Sequence, residues 1–290
     1  MTRYIPFLFV FLWSTGFIGA KMGLPYAEPY TFLHIRMVLT CLLLFVAILV
    51  LKKRWPTSWK LTGHVAFSGG LIHIGYLGSV FTSIAMGMPS GMTALVCGLQ
   101  PLLTAVAAYP ILRERVKPMQ WAGLFLGIVG VMLVLSEKID LANPDQLFNG
   151  FSMAAVGFAF LAVTSITASS LYQKKYCTEM PLMTGTFIQY LVAAIAYTVL
   201  AYSLETVEVQ WTGEFIFALF WLIFVPSFGA ISLLMWMIKQ GAASKVASLF
   251  YLIPPVTALE AFLLFDETLG LIAVLGMVVV SLGVWLAIKN

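Results

Sequence analysis

"ALVCGLQPLLTAVAAYPILRE" (residues 94–114) and "ASLFYLIPPVTALEAFLLFDE" (247–267) are one segment written twice. At an offset of 153 residues Pro101 falls on Pro254 and Glu114 on Glu267. The register holds outward from there: Gly123 meets Gly276, Gly130 meets Gly283, and Lys21 meets Lys174. The chain reads as two copies of one unit, taken here as residues 1–147 and 148–290.

Composition says where such a unit lives. Hydrophobic residues make up 61% of the chain and charged residues 10%, with a mean hydropathy of +0.98. Soluble chains carry about 25% charged residues. A soluble fold could not hide this much apolar surface, so lipid is the expected solvent. A spanning helix needs roughly 20 mostly apolar residues. Reading from breaker to breaker gives spans at 4–23, 31–51, 63–86, 89–111, 118–136, 149–171, 181–203, 213–238, 242–265 and 269–288. The first follows Arg3 and imitates a signal peptide; the runs behind it favour an uncleaved first span.

Ten spans in two copies make five per copy. That number is odd, so the second copy must enter the membrane upside down. The charges agree: "RER" follows the fourth span and "DE" the ninth. Lysine and arginine collect at alternate ends, with Lys52, Lys53, Arg54, Lys174 and Lys175 on the side of Arg3. By the positive-inside rule both termini are expected in the cytoplasm. The expected fold is an all-α integral membrane protein of ten transmembrane helices in two inverted five-helix repeats. Inverted repeats of this kind build secondary transporters, and helices broken at matching positions point to the substrate site. Pro101 and Pro254 are such a pair, although prolines also kink membrane helices with no site nearby.

The residues "LWSTGFIGAKMGLPYAEPYTFLHIRM" (12–37), and the two copies of a proline followed thirteen residues later by glutamate, lead to a known pattern. The chain resembles the drug/metabolite transporter superfamily, in particular its ten-span EamA-type permeases. The resemblance runs over nearly the whole chain and rests on Trp13, Lys21, Pro29, Arg36, Pro101/Glu114 and Pro254/Glu267. It implies a central cavity open to one side at a time, a small-molecule substrate, and residence in a bacterial inner membrane. Glu260 is not part of the general pattern.

Ionisable groups within spans are expensive and usually face the bundle interior. Glu260 lies about 9 Å below the end of its helix at 1.5 Å per residue, too deep for a short side chain to reach water. It is expected to share a face with Ile253, Thr257, Leu264 and Glu267. The repeat puts Gln100 and Thr104 on the matching face of span four, so Gln100, Thr104, Thr257 and Glu260 are expected around one cavity. There Glu260 would bind a substrate amino group or a coupling proton; the alternative is a structural hydrogen bond or ion pair. Arg36 offers a planar fork to a substrate carboxylate, or it pairs with Glu260 or snorkels outward. His34 is a candidate proton relay. His73 and Tyr76 share a face of span three, which Gly69, Gly70, Gly75 and Gly78 make slim. Trp13, Trp236, Tyr251, Tyr190 and Phe81 are aromatic candidates for the cavity wall. Lys21 is expected to snorkel, His64 to be solvated, and Trp55, Trp59, Trp121 and Trp211 to form interface belts. "GLFLG" (123–127) reads as a helix-packing face, within the chain or across a dimer.

Other classes are disfavoured. No H-E-x-x-H, G-x-S-x-G or phosphate loop occurs, and the three histidines are scattered, so neither an enzyme nor a cofactor is expected. Three cysteines without a C-x-x-C pair suggest neither disulfides nor zinc. The basic residues behave as topology signals rather than a nucleic-acid surface. The expectation, which the resemblance implies because many relatives look like exporters of amino acids or their derivatives, is a secondary transporter of small polar metabolites, foremost such an exporter, either gradient-coupled with protons as the candidate ion through Glu260 or a facilitator. It would act as a monomer or homodimer. A proton-coupled efflux pump for cationic or aromatic drugs is the alternative.

Overall fold

The computed structural model describes residues 4–56, 58–112, 118–136, 150–230, 233, 249–268 and 270–288. Its helices are α1 (Ile5–Gly23), α2 (Pro29–Val50), α3 (Trp59–Gly69) continued by a π-helical turn Gly70–Gly78 and α4 (Ser79–Ala85), α5 (Ser90–Cys97), α6 (Gln100–Leu112) and α7 (Pro118–Ser136). The second copy supplies α8 (Met153–Tyr176), α9 (Leu182–Leu204), α10 (Gly213–Phe224) with a π-helical turn Val225–Ala230, then a 3₁₀ turn Phe250–Leu252, α11 (Ile253–Phe265) and α12 (Leu271–Ile288). Among the described residues six helical stretches are long and apolar enough to cross a bilayer alone. The rest are shorter apolar pieces, among them the halves of broken spans. Among the described residues the helices follow the order expected of the ten spans.

Local chemistry starts and joins these helices. Thr212 and Ser152 accept hydrogen bonds from Phe215 N (3.2 Å) and Ala155 N (3.3 Å), as N-caps do. Proline opens α2, and its first free amides find a cap from the other repeat: Glu205 accepts from Tyr30 N (2.8 Å) and Thr31 N (2.6 Å). Glu28 answers by accepting from Thr206 N at 2.7 Å. Negative charge at a helix N-terminus is favoured by the aligned peptide dipoles. These bonds stitch the α1–α2 and α9–α10 connections together at one end of the bundle.

The packing repeats with the sequence. α2 lies along its repeat mate α9, α5 against α11, and α7 along α12. α1 packs on α10 and α11, while its mate α8 packs on the π turn Gly70–Gly78 and on α6. Exchanging the two copies returns the α2–α9 and α7–α12 pairs to themselves and turns the contact of α1 with α11 into that of α8 with α6. Lipid gives helices no hydrophobic reason to associate, so close backbone approach must do the work. Small residues sit where it is needed. A Cβ on Gly69 would come to 2.6 Å from Gln189 Cα, and one on Gly75 to 2.7 Å from Ser165 Oγ. The "GLFLG" face is used the same way inside the chain, against α12: a Cβ on Gly283 would lie 2.6 Å from the Gly123 carbonyl oxygen. It is not a free surface for a second copy. Outward faces are apolar, as at Leu42, Val46, Ile195, Val199 and Val278. Trp55, Trp59, Trp121 and Trp211 are exposed near helix ends.

Two expectations at the rim are corrected. Lys21 does not snorkel freely: it pairs with Glu267 and lies over the Phe265 ring. Glu267 also accepts from Ser90 N (3.1 Å) at the start of α5, so this corner ties α1, α5 and α11 together. His64 is packed rather than solvated, stacked on Tyr176 and hydrogen-bonded to Tyr172.

Candidate functional site

Both copies break their helices at the same places. α5 ends at Cys97 and α6 begins at Gln100; in the second copy a 3₁₀ turn ends at Leu252 and α11 begins at Ile253. Gln100 and Ile253 are repeat equivalents, each one residue before the matched proline. The breaks meet in space, since a Cβ on Gly98 would stand 2.8 Å from the Pro254 ring. The π turns match as well: shifted by the repeat offset, Gly70–Gly78 covers Val225–Ala230. π turns within α-helices recur at functional sites.

All four breaks border one buried region with two adjoining chambers. The larger, about 130 Å³, is walled by α1, α2, α4, α8, α9 and the two π turns. By this measure a single water needs about 10–15 Å³, so there is room for several waters or the head of a small metabolite. The smaller lies between the helix breaks, where Cys97, Gly98, Gln100 and Pro101 face Phe250 and Ile253. Trp13, Phe17, Tyr76 and Ile166 wall both chambers.

Arg36 is the charged group of the larger chamber. It is buried, and its position follows from Pro226. Proline has no N–H, so the Leu222 carbonyl one helical turn earlier loses its α-helical donor. Arg36 Nη2 (3.2 Å) and Ser227 Oγ (3.1 Å) donate to that carbonyl instead. Ser227 in turn accepts from Tyr190 OH at 3.0 Å, and the Tyr190 ring lies 4.3 Å from His73. The other π turn is repaired alike: Tyr197 OH donates to His73 O at 2.7 Å. Arg36 Nη2 also approaches Ser227 Oγ at 3.4 Å, while Nε is buried with no acceptor. Among the described residues no carboxylate pairs with Arg36. The guanidinium thus keeps an unused edge at the chamber that holds His73, Tyr76 and Tyr190.

Of the expected residues, Arg36, His73, Tyr76, Trp13, Tyr190 and Phe81 border the larger chamber, and Gln100 the smaller, where its amide donates to Ser170 Oγ at 3.1 Å. Glu260 is in neither wall. It is buried between α11 and α1, where Ser14 Oγ donates to Oε1 at 2.7 Å; Oε2 has no partner. The reason is axial. Glu260 shares a face with Ile253, but seven residues put it about 10 Å further along α11 at 1.5 Å per residue. There α1 and α11 converge below the Lys21–Glu267 corner. The expected face ends here too, because Leu264 points outward with 58% of its surface exposed. Thr257 is buried on that face, also outside the walls, and its hydroxyl has no partner, like that of its repeat equivalent Thr104. Neither an Arg36–Glu260 pair nor a four-residue polar cavity forms. His34 is on the α2–α9 seam, with Thr198 Oγ1 at 3.0 Å from Nδ1 and Tyr202 at its edge, away from both chambers. Trp236 and the Tyr251 side chain lie outside the described residues. The expectation did not include Ser227, Gly16, Phe17 or Cys97. "FVPSFG" (224–229), a proline inside an apolar span opposite a glycine-rich one, was the available signal for the first.

The comparisons agree with this architecture. The model of the EamA-like transporter family matches residues 4–136 and again 153–289. The chain is 26% identical to "Uncharacterized transporter YvbV" of Bacillus subtilis (strain 168), over 94% of this chain and 87% of that one. It is 24% identical to a "Probable amino-acid metabolite efflux pump" of Salmonella typhimurium, over 98% of this chain and 93% of that one. A solved crystal structure superposes with a TM-score of 0.66 at 20% identity, covering 98% of this chain and 94% of that one, which shows the same fold. Two family matches, one per repeat, together with a buried cavity bordered by matched helix breaks, identify the chain as a member of the EamA-like transporter family.

Proposed function

We propose that this transporter exports amino acids or metabolites derived from them out of the bacterial cytoplasm by alternating access. Both termini lie in the cytoplasm, and residues 1–147 and 148–290 act as the two moving halves. Arg36 holds the cargo's carboxylate through its unused edge, with His73, Tyr76, Tyr190 and Ser227 around it. Trp13 and Gln100 line the path between the chambers. The observation that carries this reading is the buried guanidinium, without a carboxylate partner among the described residues, at the chamber between the π turns. A fork of this geometry recognises carboxylates bidentately. A lipophilic cation would meet a fixed positive charge there, which disfavours drug efflux. The printed name of the Salmonella relative points the same way.

Glu260 is then a proton site at the α1–α11 seam. It meets Ser14 rather than cargo, so protonation would act on how α1 packs against α11. Counterflow in proteoliposomes with labelled amino acids and derivatives tests both parts. Wild type should exchange at least one carboxylate cargo and accumulate it against an imposed pH gradient. Glu260→Gln should keep exchange and lose gradient-driven accumulation. A Glu260→Gln protein that still accumulates cargo would remove the proton role; a wild type that exchanges no carboxylate would remove the substrate class.

A further inference from the structure

We infer that the preferred cargo is a net anion, a carboxylic acid with an apolar body whose amino group is absent or capped, rather than a free zwitterionic amino acid. This rests on the reading of Arg36 as the carboxylate ligand and sharpens it. Among the described residues the chambers contain the guanidinium and no acid. Of the 12 acidic residues in the chain, only Glu260 lies deep in a span, and its carboxylate is turned to Ser14 outside both chambers. The stretch 231–248, which follows the second π turn, contains lysines and no acid at all.

A primary ammonium needs acceptors as well as countercharge, because it carries three donors and no acceptor. The carbonyls at the π turns are already engaged: His73 O by Tyr197, and Leu222 O by Arg36 and Ser227. An ammonium entering beside Arg36 would lose its water, meet a like charge and find those carbonyls taken. An oxo, hydroxy or acylamino group needs no countercharge. Trp13, Phe17 and Phe81 offer the apolar body an aromatic wall.

The test is counterflow by wild-type protein in proteoliposomes with three labelled probes of one skeleton: phenylalanine, N-acetylphenylalanine and phenylpyruvate. Phenylalaninamide, a cation with the same ring, is added as competitor. The two anions should exchange at least about tenfold faster than phenylalanine, a discrimination within reach of a site that leaves one group unpaired. Phenylalaninamide should not compete. In Arg36→Lys, which keeps the charge and loses the fork, anion exchange should fall while the protein remains monodisperse. Phenylalanine exchanging faster than both anions overturns this inference and leaves the proposed function standing. Exchange of none of the three, with labelled phenylalaninamide exchanged when offered in their place, overturns both.

Discussion

Gly130 and Gly276 touch backbone to backbone: a Cβ on either would stand 2.6 Å from the other's carbonyl oxygen. The repeat converts this pair into Gly283 and Gly123, where a Cβ on Gly283 would again stand 2.6 Å from a glycine carbonyl oxygen, that of Gly123. A contact that maps onto its partner under exchange of the copies is what a two-fold axis between inverted halves produces. Gly276→Val should therefore strike backbone, which cannot rotate away, and cost about 1–3 kcal/mol. Thermal unfolding in detergent measures it. Gly157→Val, at an exposed glycine with nothing within 4 Å, is the control and should melt like wild type. Equal melting of the two variants would mean that α7 and α12 do not approach as described.

Pro226 and Arg36 make a second, separable prediction. Pro226→Ala returns an N–H to the helix and lets α10 continue without the π turn, at no cost to folding. The variant should be at least as stable as wild type, yet exchange cargo more slowly, because Arg36 and Ser227 lose the carbonyl that positions them. Side-by-side melting and counterflow curves check this. Faster or unchanged exchange would show that the π turn does not set the site.

Much of this was legible in the sequence. Two copies of one motif, an odd number of spans per copy and the matched prolines led to an inverted-repeat bundle. The same prolines marked where α6 and α11 begin. Aromatic and polar candidates near those breaks reached the chambers because helical spacing fixes which side chains share a face. What failed was axial position. Glu260 was placed on the correct face, but nothing in the sequence tells how far along that face a cavity extends before α1 closes over it. The Lys21–Glu267 pair was missed for a related reason: Lys21 was expected to snorkel, and only the three-dimensional meeting of α1, α5 and α11 brings Glu267 to it. The role of Ser227 was illegible because it depends on a carbonyl orphaned one turn earlier.

Ser14 is the donor to the Glu260 carboxyl, so Ser14→Ala leaves a buried acid without it. Orphaning a buried polar group costs about 1–3 kcal/mol. The variant should melt earlier by that amount, while its half-saturating cargo concentration in counterflow stays at the wild-type value. A large change in apparent affinity without loss of stability would place Glu260 in contact with cargo after all.

The central claim is that cargo occupies the chamber between the π turns, and Gly16 tests it most directly. Gly16 borders that chamber, and a Cβ added there meets nothing within 4 Å. Gly16→Trp should fill the space without disturbing a neighbour, and Gly157→Trp on the outer surface of α8 is the matched control. Counterflow in proteoliposomes should fall at least about tenfold for Gly16→Trp at unchanged melting temperature, since the lost interaction is with cargo alone, and persist for Gly157→Trp. A folded Gly16→Trp protein that exchanges cargo at the wild-type rate would contradict the account, because the chamber would then not be the route.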